Sequence, residues 1–442
     1  MTRMPVPTLL RLFAFWSLMI AAANASLAFD IQEVTSPGGI KAYLVESHSV
    51  PLISMEFAFD GGAALDPEGR EGTAQFLTGL MDEGADDLTG EQFRRARDHI
   101  SMKLQFDVSS DNFYGSFSTL TPSADEAFNL LRKSITHPRL ESEPIERMRA
   151  YFMQNAEAAD HDQNSIAGEA WMSLAFPKHA YSRRVGGTQQ SLAAITREDI
   201  AKFHDTAFSR NNLKIAVTGD IDAKTLGEAL DKVFMGLPDT PVPSPTNAVS
   251  LPDGPATKLI DYDAPQTIFI FGGKGTRDSD PDDFANYVLC QILGGQASFA
   301  LLSQEVREKR GLTYGISYTS ASLKLTGMNY GGFSTANASA GEALKLVRET
   351  LRSMAKDGPT DDELRLAKSY LTGSYALRFD SNSAIANYLL ALQLRGLPKD
   401  FANTRNDKIN AVTREQVKAA AAKYLQPDKM ILVAVGKPQG LE

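Results

Sequence analysis

The chain of 442 residues is 43% hydrophobic and 22% charged, an ordinary globular composition with enough length for two domains of about 200 residues each. Its 54 acidic and 45 basic side chains leave a formal charge of −9, which argues against nucleic-acid binding. A single cysteine, Cys290, rules out an internal disulfide, and its apolar helical surroundings at 287–293 read as those of a buried, inert thiol.

Residues 1–28 stand apart from the rest. Arg3 and Arg11 precede an apolar run at 12–23, followed by small residues. About 12 apolar residues are too few to span a bilayer and suit the core of a signal peptide. Cleavage after Ala25 or Ala28 is expected, giving an exported, periplasmic chain without a stable membrane anchor. No cysteine lies near that point to carry a lipid.

Beyond the leader, β-rich runs alternate with helical periods. Residues 52–59 form a short strand run ended by Asp60-Gly61-Gly62, and 113–120 and 267–271 read similarly. Helices are expected over 73–83, 90–99, 124–135 and 144–159, with Pro144 in a first turn. Gly272-Gly273-Lys274-Gly275-Thr276 lacks the spacing of a phosphate loop and is followed by four aspartates, so it reads as a strand-to-helix loop.

The plan is stated twice. Ile195-Thr196-Arg197-Glu198 leads through a helix to a strand closed by Gly219, and Val412-Thr413-Arg414-Glu415 leads to one closed by Gly436. The threonines are 217 positions apart, and so are the glycines. Asn164-Ser165 and Asn382-Ser383, at an offset of 218, each follow a long helix. Two copies of one supersecondary unit follow from this. The proline-rich stretch between them cannot hold a regular ladder. The expected organisation is a signal peptide at 1–28, a first domain at 29–237, a linker at 238–257 and a second domain at 258–442. Strand pairs interrupted by helical hairpins point to an α+β fold, not a doubly wound parallel sheet.

Two segments carry chemistry or its loss. Gly72-Thr73-Ala74-Gln75-Phe76-Leu77-Thr78-Gly79 resembles the motif helix of the pitrilysin/insulinase family of zinc peptidases, whose H-x-x-E-H lies in a Gly-Thr-Ala-His-Phe-Leu-Glu-His frame. In that motif two histidines on one helix face share a zinc ion, and the glutamate activates its water. Gln75, Thr78 and Gly79 occupy the three working positions here. A neutral amide is a poor ligand, threonine is no general base and glycine offers nothing. The family's third ligand is a glutamate about 75 residues on, and the matching segment has Gln154-Asn155 instead. None of the six histidines is paired at a spacing of three or four, so no replacement metal site is expected in this chain.

The second segment is intact. Gly294-Gly295, then Val306-Arg307-Glu308-Lys309-Arg310-Gly311-Leu312-Thr313-Tyr314-Gly315, resembles the family's C-terminal signature. Phe299, Leu302 and Val306 give a helix one buried face, and Gly311 is a natural stop. Arg307 then falls in the last turn and Tyr314 at a strand entrance. A basic residue in a last turn also compensates the helix dipole, and tyrosine favours strands in any case, so spacing alone assigns neither a role. Arg310 competes with Arg307, but the seven-residue separation from Tyr314 favours Arg307.

The resemblance implies two similar domains, each an antiparallel sheet with helices on one face, closing like a clam around a peptide. It implies that Arg307 and Tyr314 bind substrate and stabilise the oxyanion at a zinc site in an opposing chain. The expected function is therefore the zinc-free subunit of a heterodimeric metalloendopeptidase, inactive alone. Its expected partner is a homologous H-x-x-E-H chain that holds the zinc, and its ligand is a peptide. A non-catalytic peptide-binding or scaffold protein of the same fold is the competing expectation.

Overall fold

The computed structural model describes residues 30–243 and 249–441, so the expected signal peptide and part of the expected linker lie outside the described residues. Thirteen described strands follow in chain order. The first half holds β1 (Gln32–Thr35), β2 (Lys41–Glu46), β3 (Leu52–Asp60), the short pair β4 (Gly84–Ala85) and β5 (Leu88–Thr89), β6 (Lys103–Val108), β7 (Asn112–Leu120) and β8 (Leu213–Gly219). The second half holds β9 (Ala256–Ile260), β10 (Gln266–Lys274), β11 (Ile316–Ser322), β12 (Gly327–Ala336) and β13 (Ile431–Val435).

The helices of the first half are α1 (Thr73–Thr78), α2 (Gly90–His99), α3 (Ala124–Thr136), α4 (Ser142–Asp160), α5 (Gln163–Ala175), α6 (Gln189–Ala194), α7 (Arg197–Ala207) and α8 (Ala223–Phe234). Those of the second are α9 (Asp283–Gly294), α10 (Ala340–Asp357), α11 (Asp361–Gly373), α12 (Asn382–Leu394), α13 (Phe401–Ala411) and α14 (Arg414–Tyr424).

The α+β duplication is visible strand by strand. One sheet runs β1-β2-β8-β3-β7-β6 and the other β9-β13-β10-β12-β11. The first is the second plus one edge strand. Both are mixed and not purely antiparallel, because β2 pairs with β8, and β9 with β13, in parallel. The sequence landmarks coincide with structural ones. Thr196 and Thr413 each cap a helix (α7 and α14) by accepting from the amide three residues on, and that third residue bonds back. Gly219 and Gly436 share a backbone state open chiefly to glycine, with φ of 139° and 143°. A Cβ on Gly219 would stand 2.0 Å from the Leu52 carbonyl oxygen, so close approach to the central strand demands glycine there.

Alternation along β7 turns Phe113 and Phe117 inward, beside Phe57 and Phe59 of β3 and the apolar faces of α3 and α8. The second half repeats this with Phe269, Phe271 and Phe333 against α9, α10 and α14. The opposite face of each sheet is covered by a helix from the other half. Helix α5 lies across β10 and β13, packing Ala167, Ala170 and Trp171 on Ile268, Val433 and Val435. Helix α12 lies across β3 and β8, packing Leu389, Leu390 and Leu392 against Val45, Ala58 and Ala216. The amide of Gln163 donates to the carbonyls of Gln266 (2.9 Å) and Val435 (2.7 Å), and Gln393 donates to that of Ile215 (2.7 Å). Lys324, in the β11–β12 turn, reaches the Asp60 carboxylate at 2.6 Å.

Several sequence expectations shift. The motif helix ends at Thr78 and not near 83, because the chain tightens into turns from Gly79 onward. Gly272, Gly273 and Lys274 belong to β10, where cross-strand pairing with β12 claims their backbone groups. Strand β9 begins at Ala256, two residues inside the stretch assigned to the linker. Helices were expected on one face of each sheet; each half lends a helix to the other's second face as well.

Candidate functional site

The frame of the motif helix is preserved by contacts that need no metal. Asp66 is buried and accepts from the backbone amides of Gly72 (2.8 Å) and Ala74 (3.0 Å), satisfying two orphan donors at the start of α1. Burial pushes its carboxyl up to about 7 against the lowering effect of those donors. Phe76 packs edge-on against Phe152 of α4, and the Arg149 guanidinium lies over the Phe76 ring.

The working positions have turned inward on themselves. The Gln75 amide donates to the Thr78 hydroxyl (3.0 Å), and that hydroxyl donates to the Gln75 carbonyl (2.7 Å). A Cβ on Gly79 would meet the Met148 sulfur at 2.8 Å and the Phe152 ring at 3.2 Å, so a ligand side chain there would require these α4 side chains to shift. Asn155, where the resemblance expects the third ligand, is exposed on α4. These residues do not fit a zinc ion, and no group of three metal-ligating side chains assembles among the described residues.

Thr78 does border a cleft of about 880 Å³, walled by Glu56, Asp82, Tyr114 and Ser116 of the first half and by Asn387 and Leu390 of α12. Glu56 sits in the central strand β3 at 7% exposure and accepts from the Ser116 hydroxyl at 2.8 Å. Burial raises its carboxyl to about 7, offset in part by that hydrogen bond. Glu56 belongs to no motif in the sequence. A lone acid within Met55-Glu56-Phe57-Ala58-Phe59, an otherwise apolar strand, was the available signal.

The Arg307/Tyr314 segment differs from expectation in its local form. Ser303–Glu308 is a π-helical stretch, in which the Lys309 amide reaches the Gln304 carbonyl (3.0 Å). Leu302 and Val306 are fully buried and pin it to the core, with Phe299 half-buried beside them. Gly311, at φ 64°, ends the helix as its position predicted. Strand β11 starts at Ile316, so Tyr314 precedes the ladder and does not open it.

Thr313 is buried, and its hydroxyl donates to the Gly315 carbonyl (2.8 Å) and accepts from the Gly315 amide (3.2 Å). This clasp fixes the backbone on both sides of Tyr314, whose side chain is 87% exposed. Arg307 is exposed too, and among the described residues neither its guanidinium nor the Tyr314 phenol has a hydrogen-bond or ion-pair partner. The neighbouring cations are engaged: Lys309 with Glu305 at 2.5 Å and Arg310 with Glu342 at 3.5 Å. Arg307 and Tyr314 come from one short segment, and no hydrogen bond joins either to Gln75, Thr78 or Asn155 among the described residues.

Comparison with known proteins bears on this arrangement. Residues 42–189 match the family model described as insulinase (peptidase family M16), and residues 194–371 match the model described as the peptidase M16 inactive domain. An uncharacterized zinc protease of Mycobacterium leprae is 25% identical over 417 residues, 92% of each chain. The non-peptidase homolog YmxG of Helicobacter pylori is 22% identical over 374 residues, 84% of this chain and 86% of that one. A crystal structure titled as a peptidase M16 inactive domain from Pseudomonas fluorescens is 26% identical, with a TM-score of 0.87 over 93% of this chain and 98% of that one.

Proposed function

Because the chain belongs to the insulinase (M16) peptidase family and holds Gln75, Thr78, Gly79 and Asn155 at the family's zinc-site positions, we propose that it serves as the zinc-free subunit of a two-chain metallopeptidase. The observation that carries this reading is the asymmetry between the halves. The first half carries no zinc-ligating side chain at 75, 78, 79 or 155, while the second presents Arg307 and Tyr314 outward, without hydrogen-bond or ion-pair partners among the described residues. In the assembled pair a homologous H-x-x-E-H chain would hold the zinc, which would supply an activated water. Arg307 and Tyr314 donate hydrogen bonds to the scissile carbonyl of a peptide as its oxygen gains charge. Pre-ordering by the Thr313 clasp and the buried Leu302 and Val306 lowers the reorganisation this requires. The leader at 1–28 would deliver the chain to the periplasm.

Co-expression with an H-x-x-E-H chain encoded beside this one tests the proposal, with hydrolysis of a quenched fluorescent peptide as the readout. The pair should be stable and active, and each chain alone inactive. Arg307→Ala should lower kcat/KM by about 10²–10³-fold, and Tyr314→Phe by about tenfold, without dissolving the pair. An active pair indifferent to both substitutions sinks the assisting role. It would favour the second reading, a peptide-binding or scaffold chain, which the name of the H. pylori relative supports.

A further inference from the structure

A cavity of about 320 Å³ lies in the second half between the start of α9, the turn at Tyr375–Arg378, and helices α12 and α13. Three guanidiniums border it: Arg378, Arg395 and Arg405. Arg405 is buried and held in place, donating to the Leu371 carbonyl (3.1 Å) and to the Tyr287 hydroxyl (3.2 Å) while lying 4.4 Å from the centre of the Tyr375 ring. Tyr375 in turn donates to the Tyr388 hydroxyl at 2.6 Å.

Each phenol on the wall, Tyr287 and Tyr388, thus already accepts a hydrogen bond. Its own proton has no acceptor among the described residues and is free to donate into the cavity. Burial raises the Tyr388 phenol, and the hydrogen bond from Tyr375 followed by the charges of Arg405, Arg395 and Arg378 draws it back down, so all three cations act at one point.

The two carboxylates on the wall are already engaged. Asp278 pairs with Arg395, and Asp283 accepts from the Thr276 hydroxyl at 2.7 Å. Arg378 has no partner among the described residues. Donors therefore exceed acceptors, with net positive charge, which is the chemistry of an oxyanion site. Phe284 and Phe401, with ring centroids 6.0 Å apart, supply an apolar wall beside it. The volume lies at the small end of the range for ligand sites.

We propose that this cavity binds a small oxyanion, a carboxylate or phosphate borne on a compact apolar group, held by Arg378, Arg405 and the phenols of Tyr287 and Tyr388. The assignment does not depend on the roles given to Arg307 and Tyr314. Isothermal titration of the full chain with N-acetyl-leucine, N-acetyl-leucinamide and inorganic phosphate tests it. The acid should bind and the neutral amide should not. Phosphate binding more tightly than the acid would assign the source to a phosphate and would still support the site.

Arg378 is exposed, so Arg378→Gln should leave the melting temperature unchanged and weaken anion binding at least about tenfold. Tyr388→Phe should weaken it less, and Arg310→Gln, elsewhere on the surface, should not affect it. No binding of either anion at roughly 10 mM overturns the proposal. So does binding that survives both Arg378→Gln and Tyr388→Phe, or that falls equally with Arg310→Gln.

Discussion

Glu56 shows how much one residue can charge the stability of a half-domain. Its ordinary value of 4.5 rises to about 7 in the fold, so between those values the folded state holds a proton that the unfolded chain has released. Stability must fall as pH rises through that window, by roughly 3 kcal/mol at most for this group. Asp66 has the same sign, so the wild-type chain should lose more than Glu56 alone accounts for. Glu56→Gln should match wild type near pH 4.5 and exceed it by roughly 2–3 kcal/mol at pH 8. Urea denaturation at both pH values measures the difference, and a gap that does not widen with pH would remove the carboxylate from the explanation. Arg307 and Arg310 differ at the same scale: the second pairs with Glu342, and the first has no hydrogen-bond or ion-pair partner among the described residues.

At the scale of elements, α1 and α4 show that the motif helix lacks more than two imidazoles. Met148 and Phe152 occupy the place where a side chain at position 79 would project. Gly79→His should therefore cost about 1–3 kcal/mol through overpacking. Adding Met148→Ala should return part of that cost, and a double-mutant cycle with strictly additive energies would refute the steric account. The crossing helices make the second element-scale prediction. Trp171 on α5 is buried against the sheet of the other half, and Leu389 on α12 occupies the reciprocal position. Trp171→Ala should cost about 3–5 kcal/mol and Leu389→Ala about 2–5 kcal/mol. Both losses should appear in the unfolding of the whole chain and not of one half, which is checked by comparing calorimetric with van't Hoff enthalpies.

The whole molecule is a pair of alike units, each completed by the other. Cutting the chain at the linker would strip α12 from the first sheet and α5 from the second, exposing Val45, Ala58 and Ala216 on one and Ile268, Val433 and Val435 on the other. Residues 30–237 expressed alone should aggregate or bind a hydrophobic dye, and co-expression with residues 249–441 should restore a soluble complex. A monomeric, cooperatively folding first half would contradict this. Among the described residues no helix is long and apolar enough to cross a membrane.

The duplication and the α+β class could be read from the chain, and so could the departure of Gln75, Thr78, Gly79 and Asn155 from a zinc motif and the residue frame around Arg307 and Tyr314, whose roles belong to the proposal. Each rests on residue identity, period or spacing, and those are local quantities. Tertiary structure alone decided that the halves exchange helices, because an apolar helix face such as that of α5 or α12 does not say which sheet it covers. It also decided that Glu56 is buried, that α4 crowds the space beside Gly79, and that three arginines spread over residues 378–405 converge around Tyr388. Those facts depend on which surfaces the fold brings together, and burial and charge convergence exist only once it has done so.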